Sequence, residues 1–370
     1  MKGLGNYLKE KIRDFARSIG LPIFGVTSSD PLECLEPVLE KRRALKLDSP
    51  FEKNWQIEKR CRPRKSFPWA RSILCFGMPY GEYEDEDNRE KIFARYALVK
   101  DYHIVMREKL KKVGAYIKKL VGENFRYHIC VDSFPIVERA LAYRAGLGWY
   151  GKNCLLYNPQ YGSWFFLGEV IVNIPLEEDE PLDRDGCKKC EECIKACPTG
   201  AIRQAYSLDA RKCISCITQS PGYIPLELRE KMGYWIYGCD ICQEVCPHNG
   251  KRRSNDSLYS TDDTAYKLIE LLNITEEQFR EKYSGTVLCW AGRSIIRRNA
   301  AVALGNTGKQ ECIPRVEHLL YDEDPLVRAH TAWAVGKLGG VIAAEILRKA
   351  YGSEKDSAVK KEIENALSMT

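Results

Sequence analysis

Residues 187–246 decide how this chain is read: CKKCEECIKACPTGAI (187–202), then RKCISC (211–216), then GCDICQEVCPHN (238–249). Nine of the chain's 16 cysteines fall in this stretch. The first run, Cys187-x2-Cys190-x2-Cys193-x3-Cys197-Pro198, has the bacterial ferredoxin spacing. There three thiolates hold one [4Fe–4S] cluster and the fourth crosses to a second cluster. The last run supplies Cys239, Cys242 and Cys246-Pro247, one ligand short of the same pattern. A cysteine of the middle run completes it. The spacing predicts one cluster on Cys187, Cys190, Cys193 and Cys246. The other takes Cys197, Cys239, Cys242 and either Cys213 or Cys216, between which spacing does not choose. Zinc sites favour paired C-x2-C arms, and a disulfide framework belongs to small secreted chains, so both alternatives fit less well.

The 370 residues are enough for two or three domains. No run of about 18 uncharged apolar residues occurs, so no membrane span is expected. The N-terminal MKGLGNYLKEKIRDFARSIG is charged throughout and lacks an apolar core, unlike a secretory signal. Many cysteines without such a signal point to a reducing cytoplasm. The net charge of +6 permits an acidic partner such as RNA without demanding one.

Residues 4–19 carry apolar groups at helical spacing up to Gly20, and PIFGVTSSD reads as a short strand and turn. A helix of mixed charge is expected around 33–47. Together these open an α/β layer. Residues 57–71 read as a basic loop, in which Arg60, Arg62, Arg64 and Lys65 either face water or meet an anionic ligand. A buried strand follows at 72–78, then an acidic loop at 81–90 and an amphipathic helix from about Asp101. Asp101-x-His103 echoes a cobalt-ligand pattern but lacks its glycine, so His103 is given a structural or capping role.

In residues 127–153 a strand over 128–131 ends at Asp132. Asp132 or Ser133 is expected to cap a helix entered at Pro135 and ended by the glycines at 146 and 148. The competing reading makes Asp132 a chemical group at a strand's C-terminal end, where open α/β sheets place their sites. GLGWYGKN follows a helix instead of opening one, so it is no dinucleotide fingerprint. Residues 161–175 form an apolar strand fit for a sheet centre, and LEEDEPLDRDG reads as a linker. Residues 204–238 are a long insertion for a plain ferredoxin, and HNGKRRSN (248–255) is a linker or RNA-facing loop. From about Thr264 the chain is all helix. Arg297–Gly305 recurs as Arg328–Gly336, displaced by 31 residues, which reads as HEAT-like pairs. Arg293, Arg297, Arg298, Arg315 and Arg328 either form a basic face or serve the repeats themselves.

Taken together, EKRCRP (58–63), ARSI (70–73), KDYH (100–103), VDSFPIVERA (131–140), RAGLGWYGKN (144–153), YGSWFFLGE (161–169), ACPTGA (196–201), KCIS (212–215) and YGCDICQEVCPHN (237–249) make the chain resemble the epoxyqueuosine reductases over nearly its whole length. Val99, where glycine is commoner, and Cys216, where an aromatic is usual, depart from that pattern. The resemblance implies a cobalamin-binding catalytic α/β domain (1–176), a ferredoxin-like domain with two [4Fe–4S] clusters (177–255) and all-α HEAT-like repeats (256–370). It implies reduction of the epoxide of epoxyqueuosine to queuosine at the wobble position of tRNA, with water released. Electrons would pass from the clusters to cobalamin, and Asp132 would donate a proton. A carboxylic acid keeps a proton near neutral pH only where burial raises its pKa. The same resemblance maps corrin contacts onto Arg60, Asp132, Asn153, Ser215 and Asp240, and prefers Cys213 over Cys216 as ligand. It implies tRNA and an external low-potential electron donor as partners. A monomer is expected because the cluster module and the repeats offer no obvious symmetric interface, and the lack of a long apolar run leaves no membrane association. Two rivals are a corrinoid reductive dehalogenase-like enzyme acting on a small molecule and a non-catalytic electron-transfer module with repeats. The absent export signal and the repeats weigh against the first. The roughly 180 residues before the cysteines weigh against the second.

Overall fold

The structure, a computed structural model, describes residues 2–80, 92–132, 134–182, 186–250 and 261–370. The expected acidic loop at 81–90 and the basic residues 251–255 lie outside them. The chain divides into two compact units that interleave in sequence. One is Met1–Tyr83, Lys100–Arg211 and Ile241–Arg252; the other is Glu84–Val99, Lys212–Asp240 and Arg253–Thr370. Among the described residues no helix is long and apolar enough to cross a membrane.

The first unit is built on a four-stranded sheet: β1 (Ile23–Ser28), β2 (Ser72–Pro79), β3 (Tyr127–Cys130) and β4 (Phe165–Val172), in the order β1-β2-β4-β3. All three pairings are antiparallel. The apolar 161–175 segment is central, as expected. The comparison with open parallel sheets does not hold, however, so strand-end topology cannot be what places Asp132.

Alternation along each strand separates two faces. Phe24, Val26, Leu74, Phe76, Val170 and Val172 pack against helix α1 (Lys2–Ser18) and against Met106, Leu110, Val113 and Ile117 of a later helix. Ile23, Ile73, Cys75, Cys130 and Ile171 face the other way, toward Leu141, Ala142 and Ala145. A Cβ on Gly25 would collide with the carbonyl oxygen of Ala145, so only glycine lets that backbone sit directly on β1.

The basic segment is not a loop. It forms α2 (Ile57–Cys61) and a further turn of helix, Pro63–Ser66. Four of its cations have a carboxylate: Arg60 with Glu52 at 2.8 Å, Arg62 with Glu36 at 2.9 Å, Arg64 with Asp30 at 3.0 Å and Lys65 with Glu58 at 3.0 Å. Helix α3 (Tyr102–Val121) starts where the sequence places it. Asp101 is its N-cap, accepting from the His103 N–H at 2.9 Å. Helix α4 (Glu138–Arg144) begins three residues after Pro135, at an N-cap, Val137, that offers no side-chain bond. Asp132 therefore does not cap it, and Ser133 lies outside the described residues. The linker is docked along β1: Asp179 accepts the Val26 N–H at 2.8 Å, Glu178 accepts that of Ser28 at 3.1 Å, and Lys9 holds Asp179 at 2.7 Å.

In the second unit α5 (Ile214–Gln219) joins C-terminal helices, six among the described residues, which include α6 (Leu288–Gly305) and α7 (Pro325–Leu338). Small residues set the helix spacing: a Cβ on Gly305 would press on Trp333, and one on Gly336 would press on Ala366. Three arginines of the repeats are bound internally. Arg297 pairs with Asp322 at 2.5 Å, and its repeat equivalent Arg328 pairs with Glu354 at 2.6 Å. Arg298, 1% exposed, donates to the carbonyls of Ile217, Ser220 and Gly222 at the end of α5. Arg293 pairs with Glu276 and Glu323, and Arg315 lies over Tyr266. Arg297, Arg298 and Arg328 thus serve the repeats themselves, whereas Arg315 stays exposed.

Candidate active site

Asp132 stands two residues after the end of β3 and adopts a left-handed backbone, φ 52°. That conformation is uncommon outside glycine and marks functional turns. Here it turns the Asp132 N–H onto Glu138 Oε1 at 2.6 Å and its carboxylate toward α3. The Tyr102 hydroxyl donates to Asp132 Oδ2, and His103 Nε2 stands 3.7 Å from the same oxygen. His103 Nδ1 in turn meets the buried cap Asp101 at 2.8 Å. Tyr102 is fixed by parallel stacking on Phe166 of β4, centroids 4.1 Å apart. An acid held by a tyrosine and a histidine, both locked by their own neighbours, is a pre-oriented proton donor or acceptor. The structural role expected for His103 now includes facing Asp132.

Asp132 borders a cleft of about 350 Å³ whose walls include Phe134, Ile136, Phe165 and Leu167. Arg60 lies on the same cleft, stacked on Trp55 at 5.1 Å. Its Nε is buried without a partner, so the guanidinium keeps one donor for an added acceptor. Its partner Glu52 belongs to the capping box of Ser49. Burial opposes ionisation of Glu52, but the Ser49 N–H and Arg60 outweigh it and hold this carboxyl below its usual range.

Asn153 is buried, with Nδ2 bonded to the Tyr157 hydroxyl at 3.0 Å. Gly151 leaves room for that ring, which a Cβ would strike. The neighbouring Lys152 donates to the carbonyls of Lys188 and Cys190, both at 2.8 Å, tying GLGWYGKN to the first cysteine run. In the same unit His248 Nε2 meets Gly186 O at 2.6 Å, which ties the third run to the first. Asn249 donates to Ser163 and accepts from its backbone, which ties CPHN to YGSW. Burial first, then the thiols of Cys187, Cys246 and Cys190, push the Cys193 thiol up to about 11. The four thiols are thus electrostatic neighbours, as one cluster's ligands would be. Among the described residues no three His, Cys, Asp or Glu side chains form a group for a single metal ion. A four-iron cluster takes one thiolate per iron and needs no such convergence. All 16 cysteines are free of disulfides.

The second unit carries Cys213, Cys216, Cys239, Ser215 and Asp240. Cys213 is the N-cap of α5, and Gln219 Nε2 donates to Ser215 Oγ at 3.2 Å. Asp240, fully buried, accepts the Arg95 N–H at 2.7 Å. Sequence reasoning missed Tyr102 and Glu138 as neighbours of Asp132, although KDYH and ERA both stood out. It also missed Glu169, whose signal was a lone acid inside the apolar run FFLGEVIV.

A double-cluster cysteine module in the same chain as an acid-bearing cleft defines an iron–sulfur oxidoreductase. Comparison with known proteins agrees. Residues 186–249 match the 4Fe-4S double cluster binding domain, residues 60–133 match Epoxyqueuosine reductase QueG, DUF1730, and residues 292–368 match HEAT repeats. The epoxyqueuosine reductase of Bacillus subtilis is 38% identical over 372 residues, covering 98% of this chain and 96% of that protein. That of Escherichia coli K12 is 39% identical, covering 90% of each. A crystal structure of epoxyqueuosine reductase with an epoxyqueuosine-modified tRNA-Tyr stem loop superposes with TM-score 0.90, at 37% identity and 99% coverage of both chains. A Bacillus subtilis structure with its catalytic aspartate loop swung out of the active site gives 0.88, at 36% identity and 99% coverage of both chains. The chain belongs to the epoxyqueuosine reductase family.

Proposed function

We propose that this chain reduces the epoxide of epoxyqueuosine in the anticodon loop of tRNA to queuosine, with Asp132 as the proton donor. The observation that carries the assignment of Asp132 is its left-handed turn, which presents the carboxylate to Tyr102 and His103 at the mouth of a cleft. Tyr102 orients Oδ2, and the apolar wall of Phe134, Phe165 and Leu167 lowers the local dielectric when a substrate displaces water. Asp132 then protonates the oxygen as it leaves carbon.

The residues present fit a corrin. The cleft pairs an apolar wall with the unpartnered Nε of Arg60, a donor suited to a peripheral amide carbonyl. Arg60, Asp132 and Asn153, with Ser215 and Asp240, are the contacts we assign from their motifs. Cobalamin, when bound, supplies the reduced cobalt that delivers electrons to the substrate, and the clusters supply one-electron transfer from an external low-potential donor. We assign Cys187, Cys190, Cys193 and Cys246 to one cluster, and Cys197, Cys213, Cys239 and Cys242 to the other. Cys216 is then a spare thiol. The functional division stays at 1–176, 177–255 and 256–370, in a cytoplasmic monomer. With Arg297, Arg298 and Arg328 bound internally, phosphate contacts fall to other cations.

The test is anaerobic turnover of epoxyqueuosine-containing tRNA by the reconstituted protein, digested to nucleosides and read by mass spectrometry. Cobalamin-dependent queuosine, lost in Asp132→Asn, is the expected result. Full activity in that variant would remove Asp132 from the chemistry. No product from a fully loaded protein would overturn the tRNA reading.

A further inference from the structure

Behind Asp132 lies a second carboxyl, and behind that a third. Glu169 occupies the centre of the sheet in β4, directly opposite Cys75 of β2 and Cys130 of β3. It is fully buried, and neither carboxyl oxygen makes a hydrogen bond of good geometry. The carboxyls acting on it are those of Asp132 and Glu138. Glu138 stands at the start of α4, lines the cleft and accepts the Asp132 N–H at 2.6 Å, and the Asp132 carboxyl is among its electrostatic neighbours. The series runs from the dry sheet interior to the open cleft.

Resting on the reading of Asp132 above, we propose that Glu138 is the second acid of the reaction, resupplying Asp132 with a proton, and that Glu169 poises it for that task. The stoichiometry asks for such a group. Converting the epoxide to an alkene breaks both carbon–oxygen bonds, forms the carbon–carbon double bond and releases the oxygen as water. This consumes two electrons, from the external donor, and two protons. One carboxyl holds one proton. Asp132 is half exposed in the free protein, but a nucleoside filling the cleft displaces the water that would recharge it. Glu138 Oε–H gives its proton to the Asp132 carboxylate, which passes it on, leaving both as carboxylates until product departs.

The charged surroundings agree. Burial, then Glu169 and Asp132, raise Glu138 well above the ordinary carboxylate range; burial, then Asp132, does the same to Glu169. Across the strands Cys75 and Cys130 are held as neutral thiols, chiefly by burial. The cations acting on those thiols are Arg144 of α4 and Arg107 of α3, and neither acts on Glu138 or Glu169 among their principal influences.

Glu138→Gln keeps an oxygen for the Asp132 N–H but carries no acidic proton. In the loaded, pre-reduced full-length enzyme its single-turnover rate should fall on the order of 10²-fold. Cluster content and tRNA affinity should stay unchanged. Glu138→Asp should recover part of the rate together with the wild-type pH profile. Infrared spectra of the protein without cofactors should lose one protonated-carboxyl band at neutral pH in Glu138→Gln and another in Glu169→Gln. A wild-type rate and pH profile in Glu138→Gln, with Asp132→Asn inactive, overturns the resupply role alone. An active Asp132→Asn overturns the underlying reading instead. If Glu138→Gln fails to fold, a folded Glu138→Ala enzyme that keeps the wild-type rate and pH profile overturns the proposal.

Discussion

The two faces of the central sheet are made by the same four strands and differ in kind. One is a dry aliphatic and aromatic surface, from Phe24 through Phe76 to Val172, sealed by α1 and α3. The other carries a polar row at a single level, Cys75, Glu169 and Cys130, beneath a helix whose first residue is Glu138. The first face holds the unit together by apolar burial. The second accepts the cost of burying a carboxyl, a cost that only protonation or a partner relieves. A single sheet thus keeps stability and proton chemistry on opposite sides, one residue apart in sequence.

Substitutions on each face should therefore separate the two roles. The largest expected effect is on the polar side: Asp132→Asn should lower turnover by about 10²–10⁴-fold with no change in cluster absorbance, measured by nucleoside mass spectrometry and visible spectra. Next, Phe76→Ala on the dry face should cost about 3–5 kcal/mol in urea unfolding while leaving turnover per folded molecule intact. A loss of turnover there would break the separation. Glu169→Gln sharpens it. Because burial raises the folded pKa of Glu169 above its unfolded value of 4.5, the folded chain holds more protons between those two values. Native stability should fall as pH rises from that unfolded value toward the folded one, and Glu169→Gln should flatten the slope in thermal melts. An unchanged slope would mean that Glu169 does not carry that proton. The smallest effect is expected at Gly168, where an added methyl would press on Met106 and Leu110 at 3.0 Å. Methionine yields easily, so Gly168→Ala should cost only about 1 kcal/mol and leave the pH profile untouched.

Local pattern made part of this legible. Cysteine spacing carries its own chemistry, and apolar runs such as FFLGEVIV and SILCF declare buried strands wherever they pair. The antiparallel order could not be read, because β2 and β3 both pair with a strand that comes later in the chain. The start of α4 was misplaced because Pro135 imitates a first helical residue, whereas a left-handed turn and Glu138 occupy that segment. Charge was the least legible property. Arg297 and Asp322 lie 25 residues apart, Arg229 and Glu362 lie 133 apart, and sequence shows the cations without their partners. Asp132 was singled out as an acid after a strand, but its companions Tyr102, His103 and Glu138 come from two other elements.

The carboxylates of Glu178 and Asp179 on β1 bear on how the chain comes to be made. β1 is an edge strand, and an open edge is a template for pairing with another chain. Its amides are met by side chains about 150 residues downstream. On the ribosome the edge stays unguarded until β4 has been synthesised, and the guard arrives within the next few residues. An interrupted chain ending before Glu178 would expose that edge permanently, making truncation products far more prone to aggregate than the full-length protein.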